Sequence, residues 1–131
     1  MELNANVEID HFTLKEIPPP VGVYSHGVVA NGFLFTCGVG PANSRTGIVE
    51  VEGIVEQTQQ VFKNLAEILH AKNVDFSRVV KITAYLQNLN EDFKAYDSVC
   101  CEFLTAPYPA RTTTGAQLAN FLVEIDCIVA L

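Results

Sequence analysis

The sequence predicts an α+β domain, a mixed and mostly antiparallel sheet with two helices on one face. Two stretches, from about Ile54 and from about Asn90, carry apolar residues at helical spacing. The other apolar runs are short, β-branched and bounded by Gly, Pro and Asn. The order ββ-α-β-α-ββ, with a short strand in front, interleaves the two kinds along 131 residues, a length suited to one domain over 1–131.

Val7–Phe12 reads as the leading strand, and Pro18-Pro19-Pro20 as an extended connection, since proline cannot donate to a ladder. Asn31-Gly32 separates Val28-Val29-Ala30 from Phe33–Gly38. This predicts a hairpin, because a type I′ turn needs positive φ at both central residues. Ser44–Gly47 is a turn. Ile54, Thr58, Val61, Phe62, Leu65, Ile68 and Leu69 then form one apolar stripe, with Glu56, Gln57, Gln59, Lys63, Asn64 and Glu67 assigned to the opposite side. Lys72-Asn73 suits the helix end. Val79–Leu86 is a strand. Asn90 is read as the N-cap of a second helix that buries Phe93, Tyr96, Val99, Cys100 and Phe103. Residues 110–118 and 121–130 are expected to pair as a hairpin turning at Ala119-Asn120. The last strand is apolar on both parities, so two helices leave one apolar sheet face uncovered, and a second copy of the chain is the simplest cover.

Hydrophobic content of 49% with 18% charged residues is that of a globular protein, and six prolines and eight glycines are scattered. A net charge of −7, with only eight Lys and Arg, argues against nucleic acid, whose phosphates require a basic patch. Cys37, Cys100, Cys101 and Cys127 show no C-x-x-C spacing and no paired histidines, which disfavours a metal site. They read as reduced thiols of a cytoplasmic protein, and no signal peptide or membrane-spanning run is visible.

Two charges stand where packing alone does not call for them. Arg111 opens the β-branched run after Pro107-Tyr108-Pro109-Ala110, and Glu124 sits in the apolar run Leu122-Val123-Glu124-Ile125-Asp126. A charge withdrawn from water needs a partner or a ligand. A guanidinium held on a stiff, proline-led strand suits bidentate recognition of a carboxylate; the alternative is a salt bridge to Glu124 or Asp126 with no ligand.

Gly22-Val23-Tyr24-Ser25-His26-Gly27, Phe35-Thr36-Cys37-Gly38 and Pro109-Ala110-Arg111-Thr112-Thr113 with Val123-Glu124-Ile125-Asp126 together resemble the Rid family (RidA/YjgF, reactive intermediate deaminases) over nearly the whole chain. The resemblance implies a chorismate-mutase-like fold assembled as a homotrimer with sites between subunits. It implies cofactor-free hydrolysis of enamines and imines of 2-amino acids to 2-keto acids and ammonia, as by a 2-iminobutanoate/2-iminopropanoate deaminase. On the same resemblance Arg111 binds the substrate carboxylate and Glu124 positions or activates water. Tyr24 and Cys37 line the cleft, Gly38 brings its backbone to the ligand, and Thr113 stands where a cysteine is frequent. Further departures are Val23 for proline, His26 for glutamine, Asp97 for asparagine and a shortened final loop. They bear on substrate range more than on chemistry. A related aminomuconate-type deaminase, or a non-catalytic trimer binding 2-keto or short fatty acids, are the alternatives.

Weighed singly, His26 reads as structural or exposed, Cys100-Cys101 as helix packing, and Asp126 as a surface or interface carboxylate. No histidine has the spacing to activate Cys37. The expected final hairpin sets Gly115 opposite Glu124, with Arg111 roughly 13 Å along the neighbouring strand at about 3.3 Å per residue. Both side chains would then reach inward toward one small acid, and a neighbouring subunit would close the cleft.

Overall fold

Phe35 and Ile128 face each other in the middle of a six-stranded sheet whose strand order is β1-β2-β3-β6-β4-β5. The structure, a computed structural model, describes residues 6–131. The first five residues of the expected 1–131 domain therefore lie outside the described residues. The strands are β1 (Ile9–Phe12), β2 (Gly27–Ala30), β3 (Phe33–Thr36), β4 (Val79–Leu86), β5 (Ala110–Gly115) and β6 (Val123–Ala130); the helices are α1 (Ile54–His70) and α2 (Leu89–Phe103). A 3₁₀ turn at Phe76–Arg78 leads into β4. The α+β class, the single mixed sheet and the two helices stand as expected.

The Asn31-Gly32 turn has φ of 50° and 79°, the positive pair that a tight hairpin needs, and it joins β2 to β3 in antiparallel register. The leading strand is shorter than the expected Val7–Phe12. The second helix begins at Leu89 after Asn88, which makes no side-chain cap bond, so Asn90 is a helical residue and not the N-cap.

The expected final hairpin does not form. β5 pairs only with β4, in parallel, while β6 inserts between β3 and β4 and runs antiparallel to both. The physical reason lies in the two crossovers. β3-α1-β4 and β4-α2-β5 both step in the same direction across the sheet. A common handedness then lays both helices on one face. The first crossover skips one position, leaving the facing edges of β3 and β4 unpaired, and β6 fills that gap. The chain between β5 and β6 is stitched around the end of β4 and is not a tight turn. Ala116 N–H donates to Leu86 O (3.0 Å), Gln87 N–H to Leu122 O (3.0 Å), and Leu118 N–H to Gln87 Oε1 (2.6 Å). β5 accordingly ends at Gly115 and does not reach residue 118.

Alternation on β6 divides the molecule. Val123, Ile125, Cys127 and Val129 are buried under the helices; Glu124, Asp126, Ile128 and Ala130 face the other way and are half-buried. The helix side holds the core: Val61, Phe62, Leu65, Ile68 and Leu69 of α1 against Leu34, Ile82, Leu86 and Ile125 of the sheet, with Tyr96 and Val99 of α2. Phe62 and Phe103 stack at 4.8 Å between the helices, with Phe76 edge-on to both. The other sheet face carries no helix, and Phe33 and Phe35 are 37% and 41% exposed on it.

Two residues assigned to the solvent side of α1 are buried instead. Gln57 accepts from Leu122 N–H (2.7 Å) and donates to Val51 O (2.9 Å). Asn64 donates to Gly40 O (3.1 Å) and Ala42 O (2.8 Å). Both satisfy loop backbone that the ladders leave unpaired, which outweighs their polarity. Gln57→Leu keeps the volume but strands the Leu122 N–H. It should lower stability by about 1–3 kcal/mol, read as a lower urea midpoint at unchanged slope; an unchanged midpoint would remove Gln57 as the fastener of β6.

Candidate active site

The β3–β6 ladder breaks beside Glu124. Between the pairs Phe35↔Ile128 and Val39↔Ile125, one strand advances four residues and the other three, so one extra residue is accommodated at Thr36–Gly38. Such a bulge re-aims backbone and side chains. Cys127 N–H donates to the Thr36 hydroxyl (2.9 Å) in place of a ladder carbonyl, and Val39 and Ile125 exchange both backbone bonds (2.8 and 3.0 Å). Gly38 thereby lies directly over the Glu124 side chain. A Cβ at residue 38 would stand 2.7 Å from Glu124 Oε2, so any larger residue would push the carboxylate aside.

Tyr24, Ser25, Val28, Phe35, Cys37, Gly38 and Glu124 line one open depression on the uncovered sheet face. Tyr24 is held in a local turn, its hydroxyl accepting from Val21 N–H at 3.2 Å. Burial pushes the Glu124 carboxyl above the usual carboxylate range, and the like charge of Asp126 adds to the effect. Burial likewise raises Asp126, with Lys81 opposing. Cys37 is pushed up to about 11, first by burial and then by Glu124. At that value the thiol form dominates at neutral pH, and Cys37 lines the depression as a neutral side chain.

His26 is structural. It is buried, its Nδ1 accepts from Leu14 N–H (2.9 Å), and the tautomer this requires lets Nε2–H donate to Pro18 O (2.9 Å). Both nitrogens are spent on tying the proline connection to the sheet.

Arg111 is elsewhere. Its strand register pairs it with Ile82, on the helix side of the sheet at the β5 edge. Its Nη1 meets Asp97 Oδ1 of α2 at 2.6 Å, and its guanidinium carbon lies 5.6 and 5.5 Å from the ring centroids of Phe93 and Tyr96. The expected partners Glu124 and Asp126 are on the opposite face, so that alternative is corrected to an ion pair with Asp97. Asp97, Cys100, Cys101, Leu104, Tyr108 and Pro109 line the pocket that Arg111 faces. Thr113, on the same parity, shares a hydrogen bond with the Tyr96 hydroxyl at 3.2 Å.

The expected arrangement of Arg111 and Glu124 on one hairpin is therefore overturned. They are two strands and three residues apart, roughly 14 Å between Cα atoms on standard sheet spacings, and point to opposite faces. One chain brings together Tyr24, Cys37, Gly38 and Glu124 in one place, and Arg111 and Thr113 in another. Sequence reasoning missed the Phe93, Tyr96 and Asp97 cradle as a support for Arg111. Its signal was their i, i+3, i+4 spacing, which puts all three on one strip of helix. Among the described residues, no group of three or more His, Cys, Asp and Glu is placed to hold a metal, and no helix is long and apolar enough to cross a membrane.

The family model described as Endoribonuclease L-PSP matches residues 14–131. The chain is 36% identical over 129 residues to Reactive Intermediate Deaminase A, chloroplastic, of Arabidopsis thaliana, covering 97% of this chain and 68% of that protein. The chain belongs to the Rid family. A second Rid relative, the 2-iminobutanoate/2-iminopropanoate deaminase of Dermatophagoides farinae, is 36% identical over 116 residues, covering 87% of this chain and 90% of its own. Among solved structures, the Rid-family protein YyfA of Yersinia pestis superposes with a TM-score of 0.88 at 28% identity, over 95% of this chain and all of that one.

Stability should report the Glu124 environment. A carboxyl whose folded pKa is raised favours folding in its protonated form, an advantage complete below the unfolded pKa and lost as pH rises through the folded one. Glu124→Gln should therefore raise the denaturation midpoint relative to wild type at pH 7 and lose that advantage at pH 4. Equal gains at both pH values would mean that burial does not strain the charge.

Proposed function

We propose that the chain hydrolyses imines and enamines of 2-amino acids to 2-keto acids and ammonia, without a cofactor. The observation that carries this reading is Glu124: a half-buried carboxylate, raised in pKa, at an open depression beside a backbone that only glycine leaves clear. A base tuned toward neutrality is suited to moving protons to and from water. In the proposed reaction a water oxygen bonds to C2 of the protonated imine while Glu124 takes one water proton and the C=N electron pair moves to nitrogen, giving a neutral carbinolamine. Glu124 passes that proton to the amino nitrogen. The C–N bond then breaks with its pair leaving on ammonia, the hydroxyl O–H electrons form C=O, and the hydroxyl proton goes to Glu124, which releases it to the departing ammonia or to water. Arg111 holds the substrate carboxylate on the guanidinium edge that Asp97 does not use. Tyr24, Cys37, Gly38 and Thr113 line the site.

Because Arg111 and Glu124 point to opposite faces, this reading needs two copies of the chain, Arg111 of one meeting Glu124 of the next. We assign a chorismate-mutase-like homotrimer with three such clefts. The exposed Phe33 and Phe35, with Val28 and Ile128 beside them, supply an apolar face to bury. Free thiols at all four cysteines suit the cytoplasm. A net charge of −7 favours a small substrate over the nucleic acid that the family model's description suggests. A second reading, a non-catalytic carboxylate binder, draws support from a 35%-identical relative named Putative regulator AldR, of Lactococcus lactis.

Glu124→Gln separates the two. With 2-iminopropanoate generated in situ, pyruvate release should fall roughly 10²–10⁴-fold while pyruvate binding survives; unimpaired turnover removes Glu124 from the mechanism. Arg111→Lys keeps the charge but loses the planar fork, so pyruvate should bind markedly more weakly, and wild-type affinity would sink the bidentate anchor. Mixing Arg111→Ala chains with Glu124→Gln chains should restore part of the activity, since some interfaces recover both intact residues. No recovery in verified mixed oligomers would mean that the site is not shared.

A further inference from the structure

The anchor of the proposed site already holds an anion. Asp97 Oδ1 takes Nη1 of Arg111 at 2.6 Å, and among the described residues the neutral Cys100 thiol is the other side chain within hydrogen-bonding reach of the guanidinium. The Phe93 and Tyr96 rings beside it add attraction for the cation but no neutralising charge. The pair is thus formally neutral before any ligand arrives. A plain carboxylate placed on the remaining N–H edge brings one negative charge more than the pair can balance. A carboxylate that displaces Asp97 instead leaves that aspartate unpaired beside it. In either geometry Asp97 penalises a simple anion. A ligand with its own positive charge close to the carboxylate escapes the penalty, because its cation faces Asp97 as its carboxylate faces Arg111.

We propose that Asp97 is a specificity-determining residue. It makes the Arg111 anchor favour carboxylates that carry an adjacent positive charge, as the protonated imine of a 2-keto acid does, over the uncharged-headed keto acid. The inference rests on the deaminase reading for the ligand class and deepens it. The iminium carboxylate is a zwitterion, and hydrolysis converts it to a net anion while the positive charge departs with nitrogen. The same aspartate therefore favours the substrate and loosens the product. It also keeps ambient monocarboxylates from filling the site.

The substitution Asp97→Asn keeps the shape and an oxygen acceptor for Nη1 while removing the charge. Like charges about 5 Å apart, toward the water-like end of the dielectric range, predict roughly three- to tenfold tighter pyruvate binding by Asp97→Asn at low salt. The gain should shrink as salt is raised. Pyruvamide, of the same shape without the charge, should bind both proteins alike, and alanine, a zwitterion, should bind the variant no better than wild type. Pyruvate binding that is unchanged or weakened in Asp97→Asn overturns the proposal. So does an equal gain for pyruvamide, which would mean that Asp97 acts by occupying space. If wild type turns over iminopropanoate and Asp97→Asn leaves pyruvate binding unchanged, the selectivity fails and the deaminase reading stands. If turnover is absent but pyruvate alone tightens in the variant, the charge selection stands and the deaminase reading fails. No pyruvate binding to either protein overturns both.

Discussion

The position of β6 is the constraint on which the rest depends. It pairs antiparallel with β3 and with β4, joining the β1-β2-β3 strands to the parallel β4-β5 pair, and it carries the core on one parity and two carboxylates on the other. A central strand cannot rotate a single residue away from its face, because side chains alternate strictly and a slip would expose Val123, Ile125, Cys127 and Val129 together. Burial of those four side chains, about 1.5–3 kcal/mol for each of the three aliphatic ones, therefore holds Glu124 on the uncovered face. The carboxylate is kept in a partly dry place by packing it does not itself take part in.

The same logic at the sheet edge sends Arg111 the other way. Its parity on β5 is that of Thr113, whose hydroxyl meets Tyr96 under α2. A guanidinium on the helix side needs support there, and α2 supplies it as an aspartate and two aromatic rings. The two charged residues are each well placed and mutually remote. Their separation within one chain is a consequence of register, not of flexibility or distance along the sequence.

Much of this was legible in the chain itself. The stripe from Ile54 to Leu69, the Asn31-Gly32 turn and the Val79–Leu86 strand depend on local periodicity and local backbone preference, and each stands where the pattern put it. Glu124 could be singled out because a carboxylate in an apolar strand has few bland explanations. The partner of Arg111 could not. Asp97 lies fourteen residues away on another element, and only the packing of α2 against β5 decides that they meet. Gln57 and Asn64 looked solvent-facing because periodicity assigns polar residues outward, whereas loop backbone needing hydrogen bonds drew them in.

The sequence by itself determined which segments are helices and strands, that one sheet face lacks cover, and which charged side chains stand where packing alone does not call for them. Those properties follow from residues within a few positions of one another. Outside the Asn31-Gly32 hairpin, strand neighbours were decided only in three dimensions. Adjacent strands in sequence suggest a hairpin, yet two same-direction crossovers left a gap that β6 alone could close. That choice separated Arg111 from Glu124. Pairing partners are set by which edges remain open once the helices have packed, and no local pattern in the chain records that.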